Sequence, residues 1–166
     1  MIGNDIVDLT LARKESRWQR NGFLDKLFTE KEKILIYNSL NPETMVWNLW
    51  SRKEAAYKIY NRKTQIRTFN PKQLECFDVT NYDGIVFGEV VCETYVYFTK
   101  TMLFDDCIHT IAVDDKSNFN HLQFLESTNN ICKKDGIPAY FDAERQVYKP
   151  VSISHHGKFR AIVSIT

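Results

Sequence analysis

The stretch Trp47-Asn-Leu-Trp-Ser-Arg-Lys-Glu-Ala-Ala-Tyr-Lys-Ile59 constrains this chain more than any other, because its side chains fall into order only on a helix. At 3.6 residues per turn Trp50, Glu54 and Lys58 stack one turn apart, Trp47 lies above them and Tyr57 sits beside Lys58. One face therefore carries aromatics, an acid and an ammonium group. Asn41-Pro-Glu43 opens the helix, with asparagine as cap and proline at the first helical position, and the pattern runs to about Tyr60. The small pair Ala55-Ala56 permits close packing on a sheet. As a surface ion pair Glu54 and Lys58 would contribute only about 0.2–0.5 kcal/mol. At the edge of an apolar environment made by two tryptophans and a tyrosine, a carboxylate such as Glu54 either raises its pKa or binds a cation.

Near the amino end, Ile2-Gly-Asn-Asp-Ile-Val-Asp-Leu9 reads as a strand with Gly3, Asp5 and Val7 on one face. Aspartate is depleted in strands, and an ionised carboxylate near a core needs a partner. A metal ion is one such partner; a capping role or an exposed edge are the others. Residues 11–38 read as helical and strongly charged, and Thr29 followed by Glu32 is a capping box that opens a helix over Ile34, Leu35 and Tyr37. After the basic segment 61–67 the character changes. Residues 69–75 form a turn entering a strand. Residues 76–113, rich in Val, Ile, Tyr, Phe and Thr with a turn signal at Asp83-Gly84, predict an antiparallel meander over 74–80, 85–99 and 107–113, with a bulge at Gly88. Residues 118–134 lean toward helix, 135–138 form a turn, and a last strand over 151–165 breaks at His156-Gly157. There Ser154, His155 and Lys158 gather with backbone donors free to meet an anion.

At 166 residues the chain suits a single domain, and its 43% hydrophobic and 13% aromatic content excludes disorder. No apolar run approaches the ~20 residues of a membrane span. A formal charge of +1 gives no global pull toward nucleic acid or acidic membranes, so an anionic ligand must be held by local placement of charge. The four cysteines are widely spaced, without zinc-ligand spacing, and the first residues lack the basic and apolar pattern of a leader, so a reducing cytoplasm is the expected setting. Neither a glycine-rich phosphate loop nor a GxSxG elbow is present.

Taken in order, Gly3-Asn-Asp5, Trp50-Ser-Arg-Lys-Glu-Ala-Ala-Tyr-Lys58 and Ser152-Ile-Ser-His155 resemble the 4′-phosphopantetheinyl transferase superfamily. Its signature is G-x-D followed by (W/F)-x-x-K-E-A-x-x-K, and Trp50, Lys53, Glu54, Ala55 and Lys58 fit every fixed place. Phe28-Thr-Glu-Lys-Glu32 and Phe69-Asn-Pro-Lys72 also look like the family. The resemblance implies an α+β fold, an antiparallel sheet packed against a long central helix, and transfer of the phosphopantetheine arm of coenzyme A to a serine of an apo carrier protein. It implies Asp5 and Glu54 as ligands of Mg²⁺, Glu54 helping to deprotonate the carrier serine, and Lys58 steadying charge on the phosphates. His155 matches a family histidine that contacts a coenzyme A phosphate, with Ser154 and Lys53 as further substrate contacts.

One departure matters. Members that activate peptide synthetases carry G-x-D-x-E, and here Val7 occupies the place of the second acid. That difference, with Ser-x-Ser-His at the C-terminus, resembles the small holo-acyl-carrier-protein synthases of fatty-acid biosynthesis, where water fills the vacant position. Those are trimers with active sites between subunits, so a homo-oligomer is implied as one arrangement beside a monomer. Two other readings stay open: a non-catalytic module binding coenzyme A or a carrier protein, and a Mg²⁺-dependent phosphodiester hydrolase, which would also use two acids and a lysine.

Overall fold

In a computed structural model, which describes residues 1–134 and 137–165 and leaves the side chains of Asp78 and Val79 undescribed, the chain opens with β1 (Ile2–Asp8). Three short helices follow, α1 (Leu9–Glu15), α2 (Phe23–Leu27) and α3 (Glu30–Asn38), where the sequence predicts nearly continuous helix. The capping box at Thr29 forms in both directions: Thr29 N–H donates to Glu32 Oε2 at 2.8 Å, and Glu32 N–H donates to Thr29 Oγ1 at 3.4 Å. The central helix, α4 (Pro42–Thr64), starts on the Asn41 cap as expected and runs one turn beyond Tyr60, ending on left-handed Gln65.

The meander is real but has four strands: β2 (Glu75–Tyr82), β3 (Ile85–Cys92), β4 (Tyr95–Leu103) and β5 (Cys107–Val113). The predicted long second strand is two strands divided by a tight turn at Glu93-Thr94, with Glu93 in left-handed conformation. The bulge falls on β2 between Asp78 and Thr80, opposite Gly88 and Phe87, while Gly88 leaves room for the buried guanidinium of Arg52. With β1 the meander makes a sheet in the order β1-β5-β4-β3-β2, every pair antiparallel.

The remaining strands are β6 (Leu122–Phe124), β7 (Ile131–Lys134), β8 (Ile137–Asp142), β9 (Val147–His156) and β10 (Phe159–Ile165), a second sheet in the order β6-β10-β9-β8-β7. The helix expected over 118–134 is not formed. A short 3₁₀ turn over Lys116–His121 leads into β6, whose pairing with β10 decides a segment that fits either period. The break at His156-Gly157 is the turn of the β9–β10 hairpin. The turn expected over 135–138 includes residues 135–136, which lie outside the described residues.

Helix α4 covers one face of the first sheet over a core that includes Val46, Leu49, Ala55, Ala56, Ile59, Val90, Tyr97, Ile108 and Ala112. On the other face, β6 and β10 cover a smaller core of Ile2, Ile111, Val113 and Val163. Gly3 sets the approach of β1 to α4. A Cβ there would collide with the Ala55 carbonyl, so only glycine lets the strand press against the helix at this point. Asp5, two residues on and on the same face, is thereby brought against the helix at Ser51 and Lys58.

A seam joins the two sheets. Strand β9 runs alongside β1 in the same direction, and among the described residues the two exchange no backbone ladder. Side chains bridge them instead. Ser152 Oγ accepts Asn4 N–H at 2.9 Å, and His156 Nδ1 accepts Asp8 N–H at 2.8 Å. From α4, Lys58 donates to the carbonyls of Asn4 and Ile153, and Arg62 to those of Ile2 and Val151 at 2.8 and 2.9 Å. Backbone groups of Ile2, Asn4 and Asp8 that are turned away from β5 are satisfied in this way.

Candidate active site

Where the seam opens beside α4 lies a cavity of about 480 Å³. Its polar end holds Asp5 from β1, Glu54 from α4, and His155 and His156 from the end of β9; its apolar end is made by Val7, Ala12, Phe23, Leu27 and Trp47, with Trp50 near Glu54. Trp50 rests edge-on against Phe69, which also contacts Tyr57, so the aromatics beside the acid are fixed by packing.

The electrostatics of the polar end follow from burial. The Asp5 side chain is only 16% exposed, and burial, opposed by the Lys58 ammonium and reinforced by the nearby Glu54 charge, raises its pKa to about 7. Burial likewise raises the pKa of Glu54, with Lys58 acting against it. Lys58 stands 3.9 Å from Asp5 with its own pKa lowered, first by burial. His109, buried behind Asn4, is pushed down to about 4 by burial and by Lys58, and its Nε2 lies 3.2 Å from Asn4 Nδ2. Two carboxyls that burial drives toward the neutral form, each within the field of one lysine, form a site whose charge would be completed by a cation.

The structure brings together Asp5, Glu54, Lys58 and His155. It corrects Lys53. That ammonium is wholly buried, 2.7 Å from the Glu32 carboxylate, which has 0% exposure, and donates to the carbonyls of Pro71 and Leu74 at 2.6 and 2.8 Å over the Phe28 ring. A ligand in the cavity cannot reach it. The K-E pair of the motif thus splits by location, because neighbouring helix positions point about 100° apart: Lys53 turns into the core and Glu54 into the cavity. Glu32 also accepts Cys76 N–H at 2.8 Å, so the capping acid is the hub of a buried polar network. Ser154 is buried too, outside the cavity wall, and among the described residues its hydroxyl has no hydrogen-bond partner. Lys158, grouped with them in sequence, is held by Asp106 at 2.8 Å.

Sequence reasoning missed three contributors: Arg62, Ser152 in its bridging role, and His156. The signal for Arg62 was its place one turn beyond Lys58, and for Ser152 and His156 their shared parity on a strand. Both signals needed a known neighbour, β1, before they meant anything.

A search of curated proteins finds no match to this chain. The family model described as the 4′-phosphopantetheinyl transferase superfamily matches residues 1–111, the span that carries Asp5, Glu54 and Lys58 and two-thirds of the chain's 166 residues. The α+β architecture, with antiparallel sheets and a long helix packed on one of them, agrees with that match, and the chain belongs to the 4′-phosphopantetheinyl transferase superfamily.

Proposed function

We propose that this chain transfers the 4′-phosphopantetheine arm of coenzyme A to a serine of an apo acyl carrier protein, in a Mg²⁺-dependent reaction that releases adenosine 3′,5′-bisphosphate, as a holo-acyl-carrier-protein synthase does. The observation that carries this reading is the meeting of Asp5 and Glu54, from two separate elements, in one cavity that His155 also lines, with the Lys58 ammonium 3.9 Å from Asp5. His155 comes from β9, beyond the matched span, so the reading takes all 166 residues as one catalytic domain.

The donor set suits Mg²⁺. Asp5 and Glu54 offer hard carboxylate oxygens that would hold the ion, and the charge of Glu54 raises the pKa of Asp5, a cost that a bound divalent cation would remove. Two protein ligands suit an ion that keeps several waters and takes phosphate oxygens. Bound there, Mg²⁺ would polarise the pyrophosphate and offset its charge.

The chain's own groups do the rest. Glu54, its proton affinity raised by burial, accepts the proton of the carrier serine as that oxygen forms its bond to the phosphorus bearing pantetheine. The bond from this phosphorus to the bridging pyrophosphate oxygen breaks, and the electron pair leaves with adenosine 3′,5′-bisphosphate. Lys58 holds β1 and β9 together through two carbonyls and stands beside Asp5, which orients one carboxylate ligand and supplies positive charge near the leaving phosphate.

Intact-mass measurement tests the proposal: an apo acyl carrier protein incubated with the chain, coenzyme A and Mg²⁺ gains one phosphopantetheine, and loses that gain with EDTA. A carrier left unmodified while coenzyme A is bound would favour the binding module, and hydrolysed coenzyme A would favour the hydrolase.

A further inference from the structure

The imidazole beside His155 is set differently from it. His156 ends β9, and its Nδ1 accepts the backbone N–H of Asp8 at 2.8 Å. A ring nitrogen that accepts carries no proton, so the ring N–H lies on Nε2. The turn that follows is fastened to the same residue. Lys158 N–H donates to Asp8 Oδ2 at 3.2 Å, and Gly157, at φ +55°, lies so close that any Cβ would strike the Asp8 carboxylate. Asp8 is in turn fixed by capping α1 through Leu11 N–H at 3.0 Å. His156 is thus anchored through its ring and through the turn beside it, yet it is only half-buried and lines the cavity with Asp5, Glu54 and His155.

We propose that His156 is a phosphate-binding residue, its Nε2–H preset by the Asp8 backbone to donate to a phosphate oxygen of the nucleotide. The inference rests on the transferase reading. An imidazole already ordered by a backbone bond loses little freedom on binding, unlike a surface lysine, so its hydrogen bond to an anion is expressed almost in full.

Two substitutions separate the ring's two nitrogens. His156→Asn places an amide oxygen near the Nδ1 position, keeping an acceptor for Asp8, and removes the outer donor. His156→Gln places an amide nitrogen near the Nε2 position and gives up that acceptor. Calorimetric titration with adenosine 3′,5′-bisphosphate and with coenzyme A, in Mg²⁺, should show His156→Asn binding roughly tenfold more weakly at near wild-type melting temperature. His156→Gln should bind within about threefold of wild type while melting lower. Independently of any variant, ¹⁵N spectra should show His156 as the Nε2–H tautomer, with that nitrogen shifting on titration with the bisphosphate. Wild-type affinity in His156→Asn, losses of affinity that merely follow melting temperature, or an unshifted Nε2 would overturn the role of His156 alone. A folded wild-type protein that binds neither compound would overturn the transferase reading, and this inference with it.

Discussion

The two sheets hold their places by different means. The β1–β5 sheet is clamped to α4 by a large apolar core in which Leu49, Ala55, Ile59, Val90, Tyr97 and Ile108 are almost wholly buried. The β6–β10 sheet shares the small cluster around Ile111 and Val163, and its β7 and β8 strands are mostly exposed or half-buried. It is fastened to β1 through the polar seam of Ser152, His156, Lys58 and Arg62. Burial of apolar surface scales with area and has no direction, whereas hydrogen bonds fix distance and angle. The apolar half therefore supplies stability, and the polar seam sets the position of His155 and His156 relative to Asp5 and Glu54.

The largest expected effect separates chemistry from both kinds of fastening. Glu54→Gln keeps volume and leaves the seam bonds of Ser152, His156, Lys58 and Arg62 in place; transfer should fall by roughly 10²–10⁴-fold, read by intact mass, with the melting temperature kept or raised because burial disfavours the charge. Normal transfer by the folded variant would sink the assignment. Next comes Lys53→Met, which strands the Glu32 carboxylate in the apolar half and should cost about 3–5 kcal/mol in urea unfolding. Unchanged stability with weakened coenzyme A binding would instead put Lys53 at the ligand.

At the seam itself two buried groups titrate in opposite senses. His109, with its pKa lowered to about 4, resists the proton that the unfolded chain accepts near pH 6.5, so its contribution to stability is lost as pH falls from 7 to 5. Asp5, raised to about 7, holds a proton that the unfolded chain releases near pH 4, so its contribution grows over the same fall. In metal-free buffer the wild type should change little between these pH values. Asp5→Asn should be less stable at pH 5 than at pH 7, and His109→Gln more stable, each by about 2 kcal/mol in urea titrations. Slopes of the same sign in both variants would contradict the electrostatic account. The smallest effect is Ser152→Ala, which leaves Asn4 N–H without its acceptor at a cost of about 1 kcal/mol, with faster hydrogen exchange in β9 and β10 but not in β3 and β4. Uniformly faster exchange would mean that the seam is not a separate fastening.

How far the sequence could be read follows the same division. The helix with Trp50, Glu54 and Lys58, the strand with Asp5 and the capping box at Thr29 rest on short-range periodicity and side-chain chemistry, and all three are found in place. The 118–134 segment was decided by its partner, because three residues of β6 have no preference strong enough to overrule pairing with β10. Lys53 misled for a related reason: its type suits a phosphate as well as a buried carboxylate, and only the packing of Glu32 against α4 distinguishes them. Strands β8 and β9 follow one another through a polar turn at residues 143–146 that carried too little pattern to anticipate.

The side-chain bridges on β1 have a consequence for life in a crowded solution. A strand that ends a sheet offers unpaired amides and carbonyls to any passing chain, and such edges recruit aggregation. On β1 such groups of Ile2, Asn4 and Asp8 are occupied by serine, histidine, lysine and arginine side chains, none of which can extend the sheet by a further strand. The contacts that align the site also guard this edge of the sheet against polymerisation, so variants that loosen the seam should become stickier before they become unfolded.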